Sequence, residues 1–135
     1  MSITTELISA PQAEKLIRLE EGQYGDVKAI EARPSKLSED ISAFANADGG
    51  ELYIGIDQID TGGIKSRAWR GFAETEAANA HLQVFDNLFP LGPDFQYDFL
   101  RCDGHAGILL HVLVGKSKGV TLASNNIPYL RRGAQ

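Results

Sequence analysis

Residues 41–57, ISAFANADGGELYIGID, constrain this chain more than any other stretch. Leu37, Ile41, Phe44 and Ala45 recur at i, i+4, i+7 and i+8, the single apolar face of a helix read over about residues 36–47. Gly49 and Gly50 end that helix, and a strand is read directly after it over residues 51–57. Its Leu52, Ile54 and Ile56 point to one side and Tyr53, Gly55 and Asp57 to the other. A helix delivered straight into a buried strand calls for a sheet with helices packed on it. The glycines do not read as a phosphate cradle. Cradles run strand, glycines, helix, so that the positive helix N-terminus faces the anion, whereas here the glycines follow a helix C-terminus of partial negative charge.

The rest of the chain supplies partners for this unit. A first helix is expected over about residues 10–20, with Ser9 as N-cap, Gln12 completing a capping box, Pro11 in the first turn and Gly22 as the stop. QYGDVKAIEA reads as a strand in which Tyr24, Asp26, Lys28 and Ile30 share a face. Residues 60–63 make a turn, and 65–73 read as loop or a short irregular element, in which Trp69 packs among Lys65, Arg67 and Arg70. A third helix is expected over 74–88, ending before Pro90 and placing His81 near its apolar face as a core histidine. Strands at 95–102 and 107–114 form a hairpin through Asp103 and Gly104, the second apolar enough to be central. A short last strand is expected at 128–132, beginning on Pro128. With no repeat or linker, the expectation is one α+β domain: a mixed β-sheet with about three packed helices.

Composition sets limits on function. At 135 residues, with 43% apolar and 23% charged side chains, the chain is long enough to bury its own core. Its one cysteine, Cys102, excludes an internal disulfide and gives no case for a zinc ribbon. His105 and His111 lack a third metal ligand in register. The chain has no apolar run of membrane-spanning length and no basic-then-apolar leader, so no membrane partner is expected and the expected location is cytoplasmic. The net charge of −5 argues against a surface built throughout to coat phosphates, but it is unevenly spread. Residues 1–63 hold five basic and twelve acidic side chains, while beyond Asp103 there are Lys116, Lys118, Arg131 and Arg132 and no carboxylate side chain.

Glu21 followed five residues later by Asp26-Val27-Lys28, then ISAFANADGGELYIGID, then the closing PYLRRGAQ, together resemble the Schlafen Alba-like domain over about residues 20–135. Such domains are often labelled DNA-binding domains of bacterial transcriptional regulators and commonly stand at the N-terminus of longer proteins. The resemblance therefore implies a piece of a larger regulator, without a cofactor, that holds DNA or RNA by its backbone. Homodimers also occur among Alba-like proteins. The candidate contacts are Lys28, Lys116, Lys118, Arg131 and Arg132, with Tyr129 available to stack on a base.

The same resemblance carries an enzymatic alternative, a metal-dependent endoribonuclease acting on structured RNA. Its three acids would be Glu21, Asp26 and Asp57, holding Mg²⁺ or Mn²⁺. Here the sequence departs from the family pattern, having Asp26-Val27-Lys28 where Glu-Phe-Lys is usual, and the third acid falls at Asp57 or at the next position, Gln58. Whether the chain is a binding domain or an enzyme is open at this level.

Overall fold

The computed structural model describes residues 3–19, 25–117 and 119–130. Strand β1 (Thr5–Ile8) leads into helix α1 (Ala10–Ile17), whose N-terminus carries the expected capping box. The Ser9 side chain accepts from the Gln12 backbone N–H, and the Gln12 side chain accepts from Ser9 N–H at 2.9 Å. Strand β2 (Gly25–Lys28) and helix α2 (Pro34–Asn46) follow, then strand β3 (Gly50–Ile54). Gly49 makes the turn between α2 and β3 at φ +83, where a Cβ would lie 2.6 Å from the Val114 carbonyl oxygen. Both its backbone angle and its close approach to β7 (Leu109–Val114) exclude other residues.

The strand expected over 51–57 is divided. Gly55, at φ +129, turns the chain out of the sheet, and Ile56–Thr61 becomes strand β4 of a separate two-stranded hairpin with β5 (Ile64–Trp69). A Cβ on Gly55 would sit 2.7 Å from the Leu109 side chain, so the break depends on glycine. Residues 65–73, read as loop, therefore contain a strand. Its alternating Lys65, Ser66, Arg67 and Ala68 lack an apolar face because a hairpin arm mostly at the surface needs none.

A 3₁₀ turn (Thr75–Ala78) and helix α3 (Asn79–Leu88) occupy the region expected as one helix, and β6 (Phe95–Cys102) completes the sheet. The sheet order is β1-β6-β7-β3-β2, with β7 in the centre. β1 lies parallel to β6 and β2 parallel to β3, while the β6–β7 and β7–β3 pairs are antiparallel. Of the strand expected at 128–132, residues 128–130 are described, and there Pro128 forms an isolated bridge with Leu122, while Arg131 and Arg132 lie outside the described residues.

Alternation along the strands sends side chains to two cores. On one face, Leu52, Ile54, Tyr97, Phe99, Leu110 and Val112 pack against Leu37, Ile41 and Phe44 of α2 and Phe85 of α3. Each fully buried residue of this kind contributes about 1.5–3 kcal/mol. His81 is buried here, its ring edge-on to Phe72 and its Nε2 3.0 Å from the Ala32 carbonyl. On the other face, Val27, Tyr53, Leu100 and Leu109 are covered by α1 and by Trp69 of β5. The domain is thus α+β, with a mixed sheet between helices on one side and a helix plus a hairpin on the other.

Candidate nucleic-acid interface

β2 forms one edge of the sheet, and register places Asp26 beside Leu52 and Lys28 beside Ile54, on the α2 face. Asp26 is only 2% exposed. Its Oδ1 accepts from the Val27 N–H at 2.8 Å and its Oδ2 lies 3.5 Å from Lys28 Nζ. A carboxylate so buried is tolerated because it is paired and hydrogen-bonded.

Above Asp26 opens a polar cleft of about 520 Å³ between β2, α2 and the C-terminal stretch. Its walls include Lys28, Lys36, Glu39, Asp40 and Tyr129. The lysine and glutamate of α2 are paired at 3.2 Å, a surface contact that leaves Lys36 accessible.

The C-terminal stretch that forms one wall is tied across α2 by a stripe of polar side chains. Ser38, Ser42 and Asn46 stand four residues apart, on one side of the helix. Asn46 donates to the carbonyls of Thr121 and Tyr129, each at 2.8 Å, and accepts from the Thr121 N–H at 2.7 Å. Ser42 donates to the Thr121 carbonyl and accepts from the Tyr129 N–H, while Ser38 accepts from the Ser124 N–H. These bonds hold the Tyr129 backbone in place at the cleft, and its hydroxyl accepts from Asn125. α2 was legible through its apolar face. Its opposite duty, as a rack for extended chain, was not.

The sequence candidates are distributed as follows. Asp26, Lys28 and Tyr129 share the cleft, and Lys36, Glu39 and Asp40 join them although nothing in the sequence marked them out from an ordinary solvated helix face. Lys116 stands exposed just beyond β7, away from the cleft's lining. Asp57 lies on β4, 3.6 Å from Arg70 Nη1, and Arg70 also bonds Glu31. Asp26 and Asp57 thus pair with different cations. Among the described residues no three His, Cys, Asp or Glu side chains gather where a metal ion could sit, so those present do not by themselves fit Mg²⁺ or Mn²⁺. Glu21, Lys118, Arg131 and Arg132 lie outside the described residues.

A second polar cluster went unnoticed in the sequence because its members come from three strands. His111 on β7 lies 2.8 Å through Nδ1 from Asp98 on β6 and 3.0 Å through Nε2 from Glu51 on β3, and its ring stacks on Tyr53 with centroids 4.6 Å apart. Burial disfavours the imidazolium, but hydrogen bonds to the two carboxylates outweigh it, and the His111 pKa is raised to about 9. The His111 hydrogen bond in turn holds Glu51 below its usual value. Burial pushes the Tyr53 phenol up, with the nearby Glu51 charge adding to it.

Sheet, rack and cleft define an α+β domain that carries a mixed-charge cleft at a parallel sheet edge, walled by its own C-terminal stretch. The chain belongs to the Schlafen, AlbA_2 family, whose sequence model matches residues 21–135. Its structure is similar to the solution NMR structure of the N-terminal domain of a RecG-related protein from Nitrosomonas europaea, named for an ATP-dependent DNA helicase. The TM-score is 0.59 at 21% identity, covering 88% of this chain and 84% of the other, a likeness of fold. No curated protein matches the sequence.

Proposed function

We propose that this is a nucleic-acid-binding domain, the DNA-binding part of a transcriptional regulator, that holds its ligand chiefly through phosphates at the β2–α2 cleft. The observation that carries the reading is the meeting of Lys28, Lys36 and Tyr129 in one cleft: two accessible ammonium groups and an aromatic ring from three separate parts of the chain. Membership of the Schlafen, AlbA_2 family supports it, as does the naming of the structural neighbour for a DNA helicase. Lys116, Lys118, Arg131 and Arg132 are the further basic contacts in this reading, and Arg131 follows the cleft-lining Leu130 directly in the chain. Asp26 orients Lys28 from below.

The test is binding of a labelled DNA duplex and a labelled RNA hairpin at low salt. Lys28→Gln combined with Lys36→Gln should weaken binding about tenfold and reduce the salt dependence by close to two phosphate contacts. An unchanged affinity and salt slope would sink the cleft assignment. Metal-dependent cleavage of structured RNA is the second reading, favoured by the buried carboxylate at the cleft floor. Cleavage of a transfer RNA in Mn²⁺ that disappears in Asp26→Asn would establish it. Equal product from that variant would remove it.

A further inference from the structure

The two edges of the sheet differ. At the β2 edge Asp26 and Val27 are buried, whereas at the other edge Thr5, Glu6 and Leu7 of β1 are all exposed, Leu7 to 55%. An open edge offers unpaired backbone groups to another strand. The Phe99 N–H donates to the Thr4 carbonyl at 2.9 Å, so in this parallel pair the backbone groups of residues 4, 6 and 8 face β6 and those of 3, 5 and 7 face outward. β1 precedes residues 21–135, over which the family model matches, so this edge is a feature of the chain itself.

Segment 3–7, Ile-Thr-Thr-Glu-Leu, complements itself when laid antiparallel to a second copy with Thr5 opposite Thr5. The three outward-facing positions then exchange N–H···O bonds in pairs: Thr5 with Thr5, and Ile3 with Leu7 twice over. Their side chains lie on the α2–α3 face, as the pairing of Thr5 with Phe99 shows, and give two apolar pairs and a threonine pair. On the α1 face each Glu6 stands opposite a Thr4. The register centred on Glu6 would instead set the two glutamates against each other, a repulsive pair.

This register also places a knob beside a hole. A depression of about 230 Å³ lies next to Ile3, its apolar part made by Ile3 and Leu82 and its rim by Asn79, Gln83 and Asp86 of α3. The partner's Leu7, opposite Ile3 and on the same face, projects toward it. Arg101 stands beside Leu7 on β6, so the partner's Arg101 approaches the rim that carries Asp86. Both are exposed, and neither has an ion-pair partner among the described residues.

We propose that the β1 edge is the interface of an isologous dimer, in which two copies pair antiparallel about Thr5, the partner's Leu7 fills the depression at Ile3 and Leu82, and Arg101 pairs with Asp86 across the two-fold axis. The two five-stranded sheets become one continuous sheet, with the β2–α2 clefts at its far ends. One strand, one knob and one ion pair per side make a small interface, so the dimer forms in the range of about 1–100 µM. The proposal does not depend on what the clefts bind.

Sedimentation equilibrium over about 1–500 µM tests it. The wild-type chain should pass from monomer to dimer in that range, and a monomer throughout overturns the proposal. Thr5→Pro removes an outward N–H without touching the ladder to β6, and Leu7→Lys removes the knob; each should weaken the dimer at least about tenfold. A dimer unchanged by both variants overturns the edge as the interface. Asp86→Arg, at an exposed position, should weaken it at least about fivefold, and combining it with Arg101→Asp should restore it to within about twofold of wild type. Absence of that rescue overturns the proposed register.

Discussion

His111 shows how far three strands can change one side chain. Free imidazole loses its proton near pH 6.5, whereas between Glu51 and Asp98 it keeps that proton to about pH 9. Because the folded pKa is raised, the stabilisation is fully present below about pH 6.5 and is lost as the pH rises through 9. The contribution is of the order of 2–3 kcal/mol, allowing for solvent at the half-exposed Glu51. Urea midpoints should therefore fall between pH 6.5 and 9 in the wild-type protein, and His111→Gln should lose most of that slope. A parallel slope in both proteins would assign the effect elsewhere. None of this was legible beforehand. The sequence shows a histidine in an apolar strand, but its two acids stand thirteen and sixty residues away and are brought beside it only by the β6-β7-β3 order.

Helix α2 works on two sides. Its apolar face holds the core, and its Ser38–Ser42–Asn46 stripe holds the C-terminal stretch by hydrogen bonds. Asn46→Ala removes three such bonds, at about 1 kcal/mol each, and should lower stability by about 3 kcal/mol. It should also accelerate amide exchange at Thr121 and Tyr129 more than in β7, and weaken binding at the cleft by freeing the Tyr129 wall. Uniform acceleration across the whole molecule would contradict the C-terminal stretch's being a separate unit. The sequence revealed elements where period and punctuation agreed: the Ser9–Gln12 box, the apolar stripe of α2 and the limits of β6. It hid β1, a four-residue edge strand with one charge and no alternation to advertise it, and β5, whose basic residues imitate a loop. The break at Gly55 was hidden too, because Ile54 and Ile56 keep an unbroken period of two across a point where the backbone leaves the sheet. That break moved Asp57 from the sheet strand β3, in which the sequence pattern puts it, to the arm, a change of position no spacing rule could give.

At the scale of the whole molecule, net charge and binding have to be reconciled. With −5 overall, long-range attraction to a polyanion is absent, and binding depends on local ammonium and guanidinium groups. Two or three phosphate contacts at the cleft predict a logarithmic salt slope of about −2 to −3 for duplex DNA, shallow for a DNA-binding protein. A slope beyond about −6 would show that many more cations take part than the cleft provides. The sheet has a further consequence, in the order of assembly. Thr5–Ile8 pair with Phe99–Cys102 alone, so the strand translated first waits for one of the last. Closing so long a loop is entropically costly and slow. A nascent chain arrested before β6 emerges has the parallel pair β2–β3 and helix α2 available, but lacks both β7, on which β3 pairs, and any support for β1. Such an intermediate exposes the apolar strand faces of Leu52 and Ile54, and the emergence of the β6–β7 hairpin is the event that completes the domain from both directions at once.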